Sequence, residues 1–338
     1  SSLITAMLAE NNDEPLYTYT IGFNEEGFNE FSYAKMVEEK YNVIHTEIHS
    51  QANEYLNDWK KLIYFKDSPL GVPNEIPLAK MSWVLKQNIT VVMSGEGADE
   101  LFGGYGKIFR ASFDYENSEK ENSFYDYFIN KYEYVPREIR NRYLNVKNKN
   151  RDLFDKTLEK EFSNYPNEEN IFRFFHNIHI KPLLQRLDNA TMQASVEGRV
   201  PFLDRKLVEF VYKNVPYDMK LKWLNEKSKS NAASSEAESY SENEDIPKYV
   251  LKKVAERYLP QPVIYRKKMG FPIPLSMWIK DIKSLAKEYL SDAYWLKEGC
   301  LNELLEDVDK NNRAGQVLWM FVNIELFRKM YFEKEWRY

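Results

Sequence analysis

The stretch VVMSGEGADELFGGY, residues 91–105, runs from an apolar segment straight into Ser94, two glycines and three acids, Glu96, Asp99 and Glu100. Extended upstream as ITVVMSG (89–95), the apolar part is continuous instead of alternating, which predicts a strand buried on both faces. The acids then stand at the carboxyl end of that strand. A tip that only had to turn would need a glycine and no carboxylates. Three acids at such a position predict a binding crevice beyond the strand end.

Upstream of this stretch, helix and strand signals alternate. Leu3, Ile4, Met7 and Leu8 take helical spacing, and LYTYTIGF (16–23) is β-branched and aromatic up to Gly22. Helical spacing returns over 29–41, NVIHTEIH (42–49) alternates like a short strand, and helical stretches follow at 52–65 and 76–87, the second opening near Pro77. Alternation of this kind implies crossover units, hence an α/β fold built on a parallel sheet with helices on both faces. From about residue 107 the strand signal nearly vanishes. Helical patterns recur at 120–133, 150–162, 168–195, 204–214, 247–258, 275–290 and 314–333. The reading is an α/β core over residues 1–106 and a mainly helical part over 107–338. Residues 228–245 are rich in Ser, Glu and Asn and are expected to form a mobile surface loop.

Composition narrows the function classes. The chain of 338 residues has a net charge of −5, against nucleic acid as the main partner, where a basic face is usual. No apolar run is long enough for a membrane span. Cys300 is the single cysteine, so an internal disulfide and a cysteine-built zinc site are excluded, and a reducing, cytoplasmic setting is expected. His45, His49, His176 and His179 fall in no metal-binding spacing and read as packing or surface residues.

The phosphate signals are partial. No G-x-x-x-x-G-K-[ST] occurs, and the run Gly95–Glu100 imitates a dinucleotide fingerprint but has Glu100 in place of the third glycine. Three carboxylates would repel a bare pyrophosphate. A magnesium-bound nucleotide escapes that objection, since Mg²⁺ is held by one or two carboxylates plus phosphate oxygens. Asp99 or Glu100 is the candidate ligand, and Glu96, between two glycines, stands where a substrate can approach closely. The opposing charge comes from YRKKMGFPIP (265–274), where Arg266, Lys267 and Lys268 lie on a loop constrained by Gly270 and two prolines and suited to clamp phosphate oxygens. In RLDNATMQASVEGRVPFLD (186–204) the charges are expected to pair, Arg199 with Glu197 or Asp204.

Four segments in this order, TIGF (20–23), SGEGADELFGGY (94–105), SVEGRVPFLD (195–204) and RKKMGFPIP (266–274), resemble the synthetase domain of glutamine-dependent asparagine synthetases. The resemblance implies an N-type ATP pyrophosphatase fold, of the adenine nucleotide alpha hydrolase-like kind, with a helical extension. It implies ATP and Mg²⁺ as cofactors, activation of the aspartate side chain as an aspartyl-adenylate, and conversion to asparagine by ammonia. By position, Ile21 and Gly22 would meet adenine, Ile21 through its backbone. Ser1, Ser94 and Gly95 would line the ATP site, and Asp99 would be a Mg²⁺ ligand. Glu96 would help deprotonate ammonia and Lys268 would steady charge on the phosphates. The chain departs from the family where its pyrophosphate loop, S-G-G-x-D-S, is matched only at its last residue by Ser1, and where Asn29-Glu30 replaces Asp-Glu. The loop 228–245 also exceeds the usual connection. The expectation is therefore a carboxy-terminal part of a longer, dimeric protein, weak in ATP binding as it stands and fed with ammonia by a glutaminase domain outside the chain. Two alternatives stand beside it: the same adenylating chemistry on another carboxylate, and a non-catalytic binding module on the same scaffold.

Overall fold

The aromatic and β-branched run Leu16–Phe23 forms strand β1, which pairs in parallel with β2 (Val43–Ser50) from Leu16 opposite Val43 to Phe23 opposite Ser50. The computed structural model describes residues 1–135, 137–145, 151–162, 165–234, 240–271, 273–309 and 312–333. Helix α1 (Ser2–Glu10) precedes β1, and α2 (Phe31–Glu38) makes the crossover that parallel neighbours require. Helix α3 (Ala52–Lys66) opens with a reciprocal capping box between Gln51 and Glu54, and α4 (Glu75–Leu85) leads to β3 (Val91–Met93). No described helix is long and apolar enough to cross a membrane.

The single parallel sheet expected from the alternation is not what forms. Among the described residues the strands make three two-stranded sheets. The pair β1–β2 is parallel, β3 pairs in parallel with β4 (Glu197–Arg199), and β5 (Leu221–Trp223) pairs antiparallel with β6 (Asp245–Pro247). The α/β class holds; the continuous sheet does not. Nor is β3 buried on both faces, since Val91 is 39% and Met93 38% exposed. Val92 alone packs inward, on Leu85, Ala194 and Val196. A continuous apolar run cannot report whether anything covers its second face. The strands after residue 107 escaped a periodicity reading because each is three residues long. The Glu-Gly-Arg of β4 has little strand propensity and is extended because β3 offers it a ladder.

The recurring helical patterns do become helices, among them Phe124–Tyr132, Arg205–Asn214, Ile279–Leu290 and Asn312–Arg328. The stretch read as one helix over 168–195 is divided: Asn167–Phe174, a π-helical turn Phe175–His179, and Ile180–Met192. The expected loop at 228–245 is ordered at both ends. Glu226–Ala233 is a helix capped by the Asn225 side chain, and Asp245 begins β6, while residues 235–239 lie outside the described residues.

The largest core joins α3 and α4 to the carboxy-terminal helices. Trp59 stacks on Trp319 with ring centroids 5.0 Å apart. Asn323, buried in the same core, accepts from Trp59 Nε1 at 3.0 Å and from the Leu70 amide at 3.1 Å, and donates to the Leu70 carbonyl at 2.8 Å. A second core gathers Phe109, Tyr125 and Phe128 with Phe162, Phe172 and Phe175. Replacing Asn323 by Ala would leave three buried backbone or indole groups unpaired, so N323A is expected to cost about 3 kcal/mol or more of unfolding free energy in a denaturant titration.

Candidate active site

The tip of β3 is shaped by glycines around one carboxylate. Gly97, at φ 90, starts helix α5 (Ala98–Phe102), and Gly103, at φ 76, ends it. The chain then turns back over Asp99, and the Gly104 amide donates to the Asp99 carbonyl at 2.8 Å. A Cβ on Gly104 would overlap the Asp99 carboxylate, so the second glycine of the GGY run is required for Asp99 to sit where it does.

Two lysines meet that carboxylate. Lys248 Nζ lies 2.8 Å from Oδ1 and Lys268 Nζ 3.1 Å from Oδ2. Burial pushes the Asp99 pKa up, but the lysine charges outweigh it and hold the carboxyl down at about 2. Lys268 is fixed from every side: its ammonium sits 3.9 Å over the Tyr105 ring and 3.4 Å from the Gly104 carbonyl, and its amide donates to Glu242 Oε2 at 3.2 Å. Burial lowers the Lys268 pKa, Asp99 opposes that shift and Lys248 adds to it.

Lys248 was not among the residues the sequence nominated. It stands at the amino end of the helix Tyr249–Ala255 with a left-handed backbone, φ 55. The hairpin β5–β6 delivers it. Asp245 in β6 pairs with the buried Arg110 at 2.9 Å, and the same guanidinium donates to the Leu221 carbonyl in β5 at 2.9 Å and lies 3.8 Å over the Trp223 ring. In the sequence, Glu244 and Asp245 next door offer Lys248 a bland local partner; only the structure shows Asp245 already taken.

The other two acids have partners of their own. Glu96 forms an ion pair with Arg186, whose Nη1 also donates to Asn74 Oδ1 at 2.9 Å. Glu100 is buried and accepts from the Tyr105 hydroxyl at 2.8 Å. Burial raises its pKa, and the Asp99 charge adds to the shift. His179, read from sequence as ordinary packing, is brought here by the π-helical turn, a feature common at functional sites. Its Nε2 lies 3.8 Å from Glu100 Oε1 and its Nδ1 2.8 Å from the Tyr132 hydroxyl. Burial, then the charges of Arg186 and Lys268, lower its pKa to about 4, so the ring is neutral near pH 7.

The remaining nominated residues fall into place unevenly. The Ser94 amide donates to the Arg199 carbonyl at 2.8 Å, and its hydroxyl accepts from the Glu96 amide at 3.3 Å. Gly95 lies against the Ser1 backbone so closely that a Cβ would collide with it. Ile21 and Gly22 are buried at the carboxyl end of β1. The loop that follows is tied to the Lys268 loop by an ion pair between Glu30 and Arg266. The three-cation clamp expected from Arg266, Lys267 and Lys268 does not form: Arg266 goes to Glu30, Lys267 is exposed, and Lys268 alone reaches Asp99, because consecutive side chains on an extended loop diverge. Pro272 of that loop lies outside the described residues. Arg199 does pair with Glu197, at 3.0 Å on the surface, while Asp204 instead caps the helix Arg205–Asn214.

Among the described residues no group of three or more His, Cys, Asp or Glu could hold a free metal ion. One carboxylate kept ionised by two lysines fits a different case, a cation arriving already bound to phosphate oxygens.

Comparison with known proteins converges on one family. The family described as asparagine synthase matches residues 1–330. The chain is 29% identical to asparagine synthetase [glutamine-hydrolyzing] 1 of Bacillus subtilis over 96% of its length and 55% of that protein's. It is 26% identical to asparagine synthetase [glutamine-hydrolyzing] 3 of the same organism, over 90% of this chain and 50% of that one. To asparagine synthetase B of Escherichia coli it is 24% identical over 82% of this chain and 38% of that one. The chain thus spans about half the length of the two Bacillus relatives.

The His179 environment carries a pH signature. A ring whose folded pKa is about 4, against 6.5 when unfolded, contributes stability that is intact above pH 6.5 and is lost as pH falls towards 4. H179Q is expected to flatten that part of the stability profile in denaturant titrations between those pH values. An unchanged slope would place His179 in contact with solvent.

Proposed function

The chain belongs to the asparagine synthase family, and from that premise we propose that it is an ATP-dependent amide-forming ligase acting on the side-chain carboxylate of aspartate. The observation that carries this reading is the convergence of Lys248 and Lys268 on Asp99 at the end of β3. Opposed acidic and basic groups at a strand end suit a nucleotide triphosphate bound with its magnesium. The two parallel strand pairs, with the acidic tip beyond one of them, support an N-type ATP pyrophosphatase arrangement.

In this reading a substrate carboxylate oxygen attacks the α-phosphorus of ATP, the bond to the bridging oxygen breaks, and pyrophosphate leaves from an aspartyl-adenylate. Lys268, with Lys248 beside it, stabilises the charge that moves onto the departing phosphates. Asp99 aligns both ammonium groups and would contact the magnesium, which neutralises phosphate charge when bound. Ser1, Ser94 and Gly95 line the phosphate path, and Ile21 and Gly22 border the adenine. Ammonia then attacks the acyl carbon, the bond to AMP breaks, and the surplus proton passes to Glu96, whose Oε2 accepts no hydrogen bond among the described residues. The ammonia is proposed to come from glutamine hydrolysed outside residues 1–338.

Incubation of the full-length protein with aspartate, ammonia and Mg-ATP should yield asparagine, AMP and pyrophosphate in equal amounts. Formation of ADP, or activation of some other carboxylate alone, would overturn the reading. K268A is expected to lower turnover by about 10²–10³-fold, as loss of one transition-state donor does elsewhere. E96Q should depress amide formation more than pyrophosphate release; equal losses would move Glu96 to the first step.

A further inference from the structure

We propose that Arg186 and Asn74 form the subsite for the non-reacting carboxylate of an amino-acid substrate. The inference rests on the carboxylate-activating reading above and specifies how its substrate is recognised.

Arg186 reaches the β3 tip from the helix Ile180–Met192. Its guanidinium gives Nη2 to Glu96 and Nη1 to Asn74 Oδ1, while Nε is closed to solvent and bonded to nothing among the described residues. An Arg–carboxylate pair kept for structure alone tends to close as a fork, both carboxylate oxygens meeting two guanidinium nitrogens. Glu96 does not do this: it takes one donor through one oxygen, and Nε stays idle. A donor withdrawn from water and left unpaired is unfavourable, and an incoming carboxylate would relieve it. Asn74 contributes likewise. Its Oδ1 is occupied by Arg186, which leaves its amide hydrogens as donors bonded to no described residue.

Asn74 is also held in advance. Glu75, 2% exposed, accepts from the amides of Gly71 at 2.6 Å and Val72 at 3.2 Å and pairs with Lys66 at 2.7 Å. That buried pair fixes the loop 71–74 whose last residue meets the guanidinium, so the donors are in place before any ligand arrives. The planar fork of arginine matches a carboxylate where a lysine ammonium would not. Through Glu96 the anchor adjoins the β3 tip, so a short acidic amino acid could keep one carboxylate on Arg186 while the other is activated.

The test is ATP–pyrophosphate exchange by the native protein with aspartate and with 3-aminopropanoate, which keeps the reacting carboxylate and the amine but lacks the second carboxylate. The preference of R186Q for aspartate over 3-aminopropanoate is expected to fall about 10–100-fold, with KM for ATP unchanged, as loss of a hydrogen bond to a charged group implies. N74A, which leaves the Arg186–Glu96 pair in place, should lose part of the same preference, and R186K should recover little of it. Exchange with aspartate whose preference survives both R186Q and N74A overturns the subsite alone. No exchange with aspartate in the unsubstituted protein overturns the proposed function and the subsite with it.

Discussion

A carboxylate with one oxygen shut away from water stays ionised when cations come to it, and Asp99 is such a group. Removing either lysine would leave the other to carry the full compensation, so both must be delivered accurately. That requirement explains distant features of the chain. The hairpin β5–β6 is riveted to the helices before it by the buried Arg110–Asp245 pair, and its exit is Lys248. The loop with Lys268 is tied down at Arg266 by Glu30 and at its own amide by Glu242. Glu242 and Lys248 both hold left-handed backbones, at φ 66 and φ 55.

What could be read in the sequence was whatever is written locally. The strands at 16–23 and 43–50 and the helices around them announce themselves by composition and spacing, because each is long enough to show a period. The acidic tip announced itself because glycines punctuate it. Pairing partners were not legible. The strand order around β3 depends on Glu-Gly-Arg at 197–199, which carries no strand signal of its own. Lys248, Arg186 and His179 each enter the site from far along the chain, and each has charged or aromatic sequence neighbours that offer a plausible local role. The π-helical turn that delivers His179 differs from an α-helix by one extra residue per turn, a change no hydrophobic period reveals.

Two ammonium groups converge at the β3 tip without forming an open basic patch. Asp99 is held ionised near pH 7 by the lysine charges, so the two lysines are already neutralised in part by an internal acid. In the proposed reading, a phosphate chain would compete with that acid for the same ammonium groups. Such competition favours a ligand with several negative oxygens in a row over one isolated anion, because only the former can engage both lysines at once. It also assigns a use to a cation carried on the phosphates, which would give Asp99 a new partner as the lysines turn to the ligand.

The three acids after Met93 would be a liability if they faced one another. Like charges this near raise one another's pKa, and the Asp99 charge does push Glu100 upward. The fold limits the damage by sending them in three different directions. Glu96 turns to Arg186, Asp99 to Lys248 and Lys268, and Glu100 inward to the Tyr105 hydroxyl. The glycines at 95, 97 and 104 make this divergence possible, since each lies where a side chain would strike Ser1, Leu203 or Asp99 itself. The concentration of charge in the sequence is therefore an accident of chain order. In space it becomes three separate sets of contacts radiating from one strand end, and the cluster of Asp99 with Lys248 and Lys268 is the one to which the most distant parts of the chain contribute.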